Sequence, residues 1–125
     1  MGSVFRRAGI FAFLFLLLAA FAAAQPPDYA HIARQAVTNL SSGNFAAVEQ
    51  HMIPGMAAEV PLQILQMVWM HVIRRFGDFQ KITGATVKPV NDQQLVAVAC
   101  QFAKGPATVN WIINSHGQIT GLHFQ

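Results

Sequence analysis

The stretch PLQILQMVWMHVIRRFGDF, residues 61–79, contains the change of period that decides the fold. Leu62, Leu65, Trp69, Val72 and Phe76 recur at alternating three- and four-residue steps, the spacing that lines up side chains on one side of an α-helix. Ile64, Val68 and Ile73 widen that stripe, so the helix is expected to be heavily buried. Pro61 suits a first helical turn, where its missing N–H is not needed. Arg74 and Arg75 fall in the last turn, facing the negative end of the helix dipole, and Gly77 stands where a left-handed C-terminal cap is required.

Beyond Gly77 the pattern becomes strand-like, with turn signals about every ten residues. Strands are expected over residues 79–90, bent at Gly84, then 94–103, 107–114 and 118–124. Asn91-Asp92, Lys104-Gly105-Pro106 and Ser115-His116-Gly117 supply the turns. Such short connections imply an antiparallel meander. In the second strand Val96, Val98, Cys100 and Phe102 share one face, and Leu95, Ala97, Ala99 and Gln101 the other. In the third, Val109, Trp111 and Ile113 lie opposite Thr108, Asn110, Ile112 and Asn114. Neither face of the sheet is strongly polar, so the second face is expected to be covered by the first helix or by a partner subunit.

Upstream of Pro61, Tyr29, Ile32, Ala33, Ala36, Val37 and Leu40 form the stripe of a first amphipathic helix, ended by Ser41-Ser42-Gly43. Asn44 is expected to cap a shorter helix carrying Phe45, Val48 and Met52, which Pro54-Gly55 breaks. Helices first and strands afterwards define an α+β domain, N-terminal helices packed on a curved four-stranded antiparallel sheet, over residues 28–125.

Met1–Arg7 is a short basic segment, Ala8–Phe21 is uncharged and rich in Phe and Leu, and Ala22-Ala23-Ala24 offers a small-residue cleavage site. Residues 1–24 therefore read as a secretory signal peptide, placing the domain in the periplasm or outside the cell, with residues 25–27 as a linker. The competing reading is an N-terminal membrane anchor, because Ala8–Ala24 is an uncharged run at the lower edge of bilayer-spanning length. The leader holds 19 of the 67 apolar residues, leaving 48 in the other 101, an ordinary load for a soluble domain. It also holds two of the eight basic residues, so the remainder carries six against five acidic ones. That balance argues against a nucleic-acid partner, which needs clustered Lys and Arg. Once the leader is removed, no membrane partner is expected. Cys100 is the only cysteine, so an intrachain disulfide is impossible by count.

Gly43-Asn44-Phe45, Trp69 followed by Gly77 and Phe79, and the closing Gly117-Gln118-Ile119-Thr120-Gly121-Leu122 resemble a small secreted bacterial family of unknown function. Members occur alone or ahead of α/β-hydrolase domains. The resemblance covers nearly all of Ala30–Gln125 and implies a nuclear-transport-factor-2-like (cystatin-like) fold, with helices filling the concave side of a curved sheet. Its markers are packing and turn residues rather than catalytic ones. Asn44 stands where the family pattern has an acidic residue, and no hydrolase domain follows Gln125, so an accessory role would operate in trans.

No catalytic constellation emerges. Asp28, Glu49, Glu59, Asp78 and Asp92 fall at element ends, on an exposed helix face or in a turn, whereas a carboxylate base needs burial and aim. No metal-ligand spacing occurs among the histidines and Cys100, and neither a metal nor a cofactor is expected. Cys100, between Val98 and Phe102 on one strand face, reads as an inert core thiol. Trp69, Phe76, Phe102 and Trp111 are the candidate lining of a small apolar pocket between helix and sheet, with Asn110 or Gln101 supplying a polar contact. Met52, Met56, Met67 and Met70 suit an adaptable apolar surface. The leading expectation is a non-enzymatic module that binds a small apolar ligand or a protein partner, or dimerises through its sheet. The alternatives are an isomerase or hydratase with His71 or His123 as base and Asn110 orienting the substrate, or an accessory to a separate hydrolase.

Overall fold

The computed structural model describes residues 25–125; the leader and its cleavage site lie outside them. Among the described residues four helices precede four strands, in the order the change of period requires: α1 Tyr29–Ser41, α2 Phe45–Gln50, α3 Pro54–Glu59, α4 Leu62–Phe76, then β1 Phe79–Val90, β2 Gln93–Phe102, β3 Gly105–Ile113 and β4 Ile119–Phe124. The strands form one antiparallel meander in the order β1-β2-β3-β4.

Asp28 caps α1 by accepting a 3.1 Å hydrogen bond from the His31 N–H, satisfying one of the free donors of the first turn. Asn44 does not cap α2 with its side chain, contrary to expectation. The α3 helix is a second departure. Pro54 does not merely end what precedes it; it occupies the first turn of a new helix, where its fixed φ is already helical.

Gly77 ends α4 at φ +81°, its N–H donating to Ile73 O at 2.8 Å. The β2–β3 turn closes on this helix end: the Lys104 N–H donates to Phe76 O at 2.9 Å and the Ala103 N–H to Asp78 O at 2.9 Å. A Cβ on Gly77 would stand 2.9 Å from the Ala103 Cβ, so both the backbone and the close approach demand glycine.

Register shifts break the β1–β2 ladder between Phe79 and Lys81 and between Ile82 and Gly84, the second at the expected bend. Such bulges increase local twist and spoil a long free edge for pairing with other chains. The short β4 edge is tied down differently. The Ile119 N–H donates to His51 O at 2.7 Å and the Ile53 N–H to Ile119 O at 3.0 Å.

The core lies between the helices and one sheet face. Val96, Val98, Cys100 and Phe102 of β2 and Val109, Trp111 and Ile113 of β3 meet Ala33, Ala36, Val37 and Leu40 of α1 and Leu65, Trp69 and Val72 of α4. α1 thus joins the same core as α4 and does not cover the other face. There Leu95, Ala97, Ala99 and Ile112 stay partly exposed.

Candidate binding site

Three of the five expected pocket residues come together, Trp69 and Phe76 both packing on Phe102, while Trp111 lies further along the sheet, opposite Val96. Trp69, Phe102 and Trp111 are buried, and Phe76 packs against the same core. The Phe102 ring centroid lies 6.0 Å from Trp69, 5.8 Å from Phe76 and 5.6 Å from Phe79, the separations of tilted and edge-on aromatic packing. Trp69 also meets Phe124 at 6.4 Å. Truncating any of these rings to alanine removes core, at about 3–5 kcal/mol each. Trp111 Nε1 is buried with no hydrogen-bond partner among the described residues.

Asn110 is not brought to this group. The strand alternation turns it to the other side of the sheet, where its Nδ2 donates to Gln125 Oε1 at 3.2 Å. It pairs across the ladder with His123, and both border a shallow trough of about 790 Å³ floored by Ala97, Ile112 and Gly121. Gln101 is on this side too, its Nε2 donating to Phe102 O at 3.0 Å. His123 and His71 are exposed, on different surfaces of the molecule, so neither stands inside the helix–sheet space that an isomerase-type base requires.

Cys100 is buried and its Sγ donates only to Val98 O, at 3.6 Å. Burial pushes its thiol up to about 11, which leaves it protonated and unreactive at neutral pH. Glu49 departs from expectation: it is half-buried, with Oε1 enclosed and unpartnered, and desolvation raises its carboxyl above the usual range. Among the described residues no three His, Cys, Asp or Glu side chains gather as metal ligands, and no helix is long and apolar enough to cross a membrane.

The open apolar surface is the outer side of α4, a helix expected to be heavily buried. Only Leu65, Trp69 and Val72 are buried on this helix. Met67 is 66% and Met70 52% exposed, with Leu62 at 41% and Ile64 at 40%. Ile64, Met67 and Met70 border a groove of about 1040 Å³ that runs past Val68 and His71 to Phe76, Phe124 and Gln125. No Asp or Glu lines it. Its C-terminal end is cationic: Arg74 and Arg75 lie in the last turn, and Lys104 Nζ donates to Arg74 O at 3.3 Å. The Arg75 guanidinium sits 5.2 Å from the centre of the Phe76 ring, held by cation–π attraction. Of the methionines among the described residues, Met52 is core and Met56 packs against it, while Met67 and Met70 are exposed.

The molecule is thus a small α+β domain with helices on one face of an antiparallel meander, an apolar helix surface with a basic end, and a filled interior. The family model described as Protein of unknown function (DUF3887) matches residues 33–122, and the chain belongs to that family. No curated protein and no solved structure matches it.

Proposed function

We propose that the domain is a non-enzymatic binding module whose contact surface is the outer side of α4 with its groove, and whose ligand is an amphipathic small molecule with an anionic end. The carrying observation is the row of exposed apolar side chains Ile64, Met67 and Met70, ending at Arg74, Arg75 and Lys104 with no Asp or Glu between them. Large apolar side chains grouped on a surface favour being covered, and covering Met67 and Met70 contributes on the order of 2–3 kcal/mol in total. Thioethers adapt to an acyl chain or ring, and the arginines supply forked donors for a carboxylate, sulfonate or phosphate. The filled helix–sheet interior supports placing the ligand outside it.

Titration with 1-anilinonaphthalene-8-sulfonate, an apolar anion, tests this reading. Saturable binding is expected, weakened at least tenfold in Met67→Ser/Met70→Ser, whose fold is preserved because both side chains face solvent. Equal binding by the double variant would place the site elsewhere. A second reading, a homodimer through the outer sheet face, is supported by the partly exposed Leu95, Ala97, Ala99 and Ile112. A solution mass of one chain by light scattering removes it. The one-sided helical cover on a bulged sheet supports the nuclear-transport-factor-2-like assignment, and the leader supports export, for which a purified mass beginning at Gln25 is the test.

A further inference from the structure

We infer that the outer side of α4 meets its amphipathic anion as part of a membrane, lying on the surface of an anionic lipid bilayer. This rests on the reading of α4 as the contact surface and names the partner. It differs from the sequence expectation of no membrane contact after leader removal, and the experiment below decides between them.

Three features point to a bilayer. The apolar side chains project outward from the helix instead of lining an enclosed chamber, Met67 and Met70 being more than half exposed. An open surface of this kind fits a partner that is itself extended. Ile64 to Arg75 covers about 16 Å of helix axis at ~1.5 Å per residue, enough for several lipid headgroups. Charge is arranged for it as well: Arg74, Arg75 and Lys104 gather at one end, while the helix and its groove carry no Asp or Glu. An interfacial helix needs this combination, with apolar side chains entering the acyl boundary and cations remaining among the phosphates. No described helix can cross a membrane, so the contact is peripheral.

A label placed on the surface itself makes the test independent of the leader. Cys100 is buried and resists modification, so Met67→Cys in the full chain can be labelled selectively with an environment-sensitive nitrobenzoxadiazole dye. Phosphatidylglycerol vesicles should shift its emission to the blue and raise its intensity several-fold. Phosphatidylcholine vesicles should not, nor should a label at the exposed Gln35→Cys on α1 respond. Arg74→Gln/Arg75→Gln/Lys104→Gln should weaken the response roughly tenfold to a hundredfold, and added salt should weaken it too.

No response at position 67 to phosphatidylglycerol vesicles, alongside saturable response to monomeric dodecanoate, would overturn the bilayer and leave the amphipathic-anion reading standing. No response to either would overturn both. Equal response to the two lipids, or indifference to the triple substitution, would overturn recognition of an anionic surface.

Discussion

Replacing Gly77 by alanine is expected to be among the most damaging single-methyl changes in the domain. Its φ of +81° and ψ of −174° lie in a region essentially restricted to glycine, where an L-residue costs about 1–3 kcal/mol. The added Cβ would stand 2.9 Å from the Ala103 Cβ and 3.2 Å from the Lys104 backbone nitrogen. Relieving that overlap requires the β2–β3 turn to retreat from the end of α4, adding about 1–3 kcal/mol. The total, about 2–6 kcal/mol, is a large share of the ~5–15 kcal/mol that holds a small domain together. Urea unfolding followed through the buried Trp69 and Trp111 should show the midpoint falling by at least about 0.7 M, given slopes of ~1–3 kcal/mol per molar. Gly55→Ala is the matched control. It lies in α3 with nothing within 4 Å of an added Cβ, and should be neutral or stabilising by up to about 1 kcal/mol. A Gly77→Ala midpoint within ~0.3 M of the parent would refute the close approach of turn and helix described here.

Two titrations and one binding experiment follow from the same geometry. The Cys100 thiol is pushed up to about 11, so between pH 9 and 11 the folded state holds a proton that the unfolded chain has lost; stability relative to Cys100→Ala should fall across that window, as measured by urea midpoints. The carboxyl of Glu49 is raised, so its ionisation opposes folding: Glu49→Gln should gain stability relative to the parent as pH rises from 4 to 7, and a pH-independent difference would contradict the burial of Oε1. Met67→Ser/Met70→Ser should lose binding of an apolar anion without loss of helicity by circular dichroism.

Much of the fold was legible because the period of apolar residues changes once and cleanly. The three- and four-residue steps from Leu62 to Phe76 and the alternation of Val96, Val98, Cys100 and Phe102 each have one geometric solution. The α3 helix was not legible, because Pro-Gly is read equally well as a break and as the opening turn of a new helix, and packing of Met56 and Ala57 against the core decides between them. Gly77 was placed correctly as a cap, but its contact with Ala103 depends on a turn a quarter of the chain away.

The site was harder to read than the fold. Large aromatics mark both pockets and cores, and only the three-dimensional fit shows Trp69 and Phe76 closing on Phe102. Asn110 follows Val109 and precedes Trp111, so alternation alone sends it to the opposite face from the rings. On α4 the sequence did carry a signal: Met67 and Met70 fall on the side away from Trp69, making the helix apolar nearly all round until Arg74. Such a helix is either wholly enclosed or left with a face to cover. Among the described residues no further layer covers it.

The central claim, that the outer side of α4 binds an amphipathic anion, is tested most directly by methyl NMR of methionine-labelled protein titrated with monomeric dodecanoate. The Met67 and Met70 methyl signals should move together and saturate, while the signal of Met52, enclosed in the core, stays in place. If Met67 and Met70 do not move, or if Met52 moves while they do not, the binding surface is not on α4.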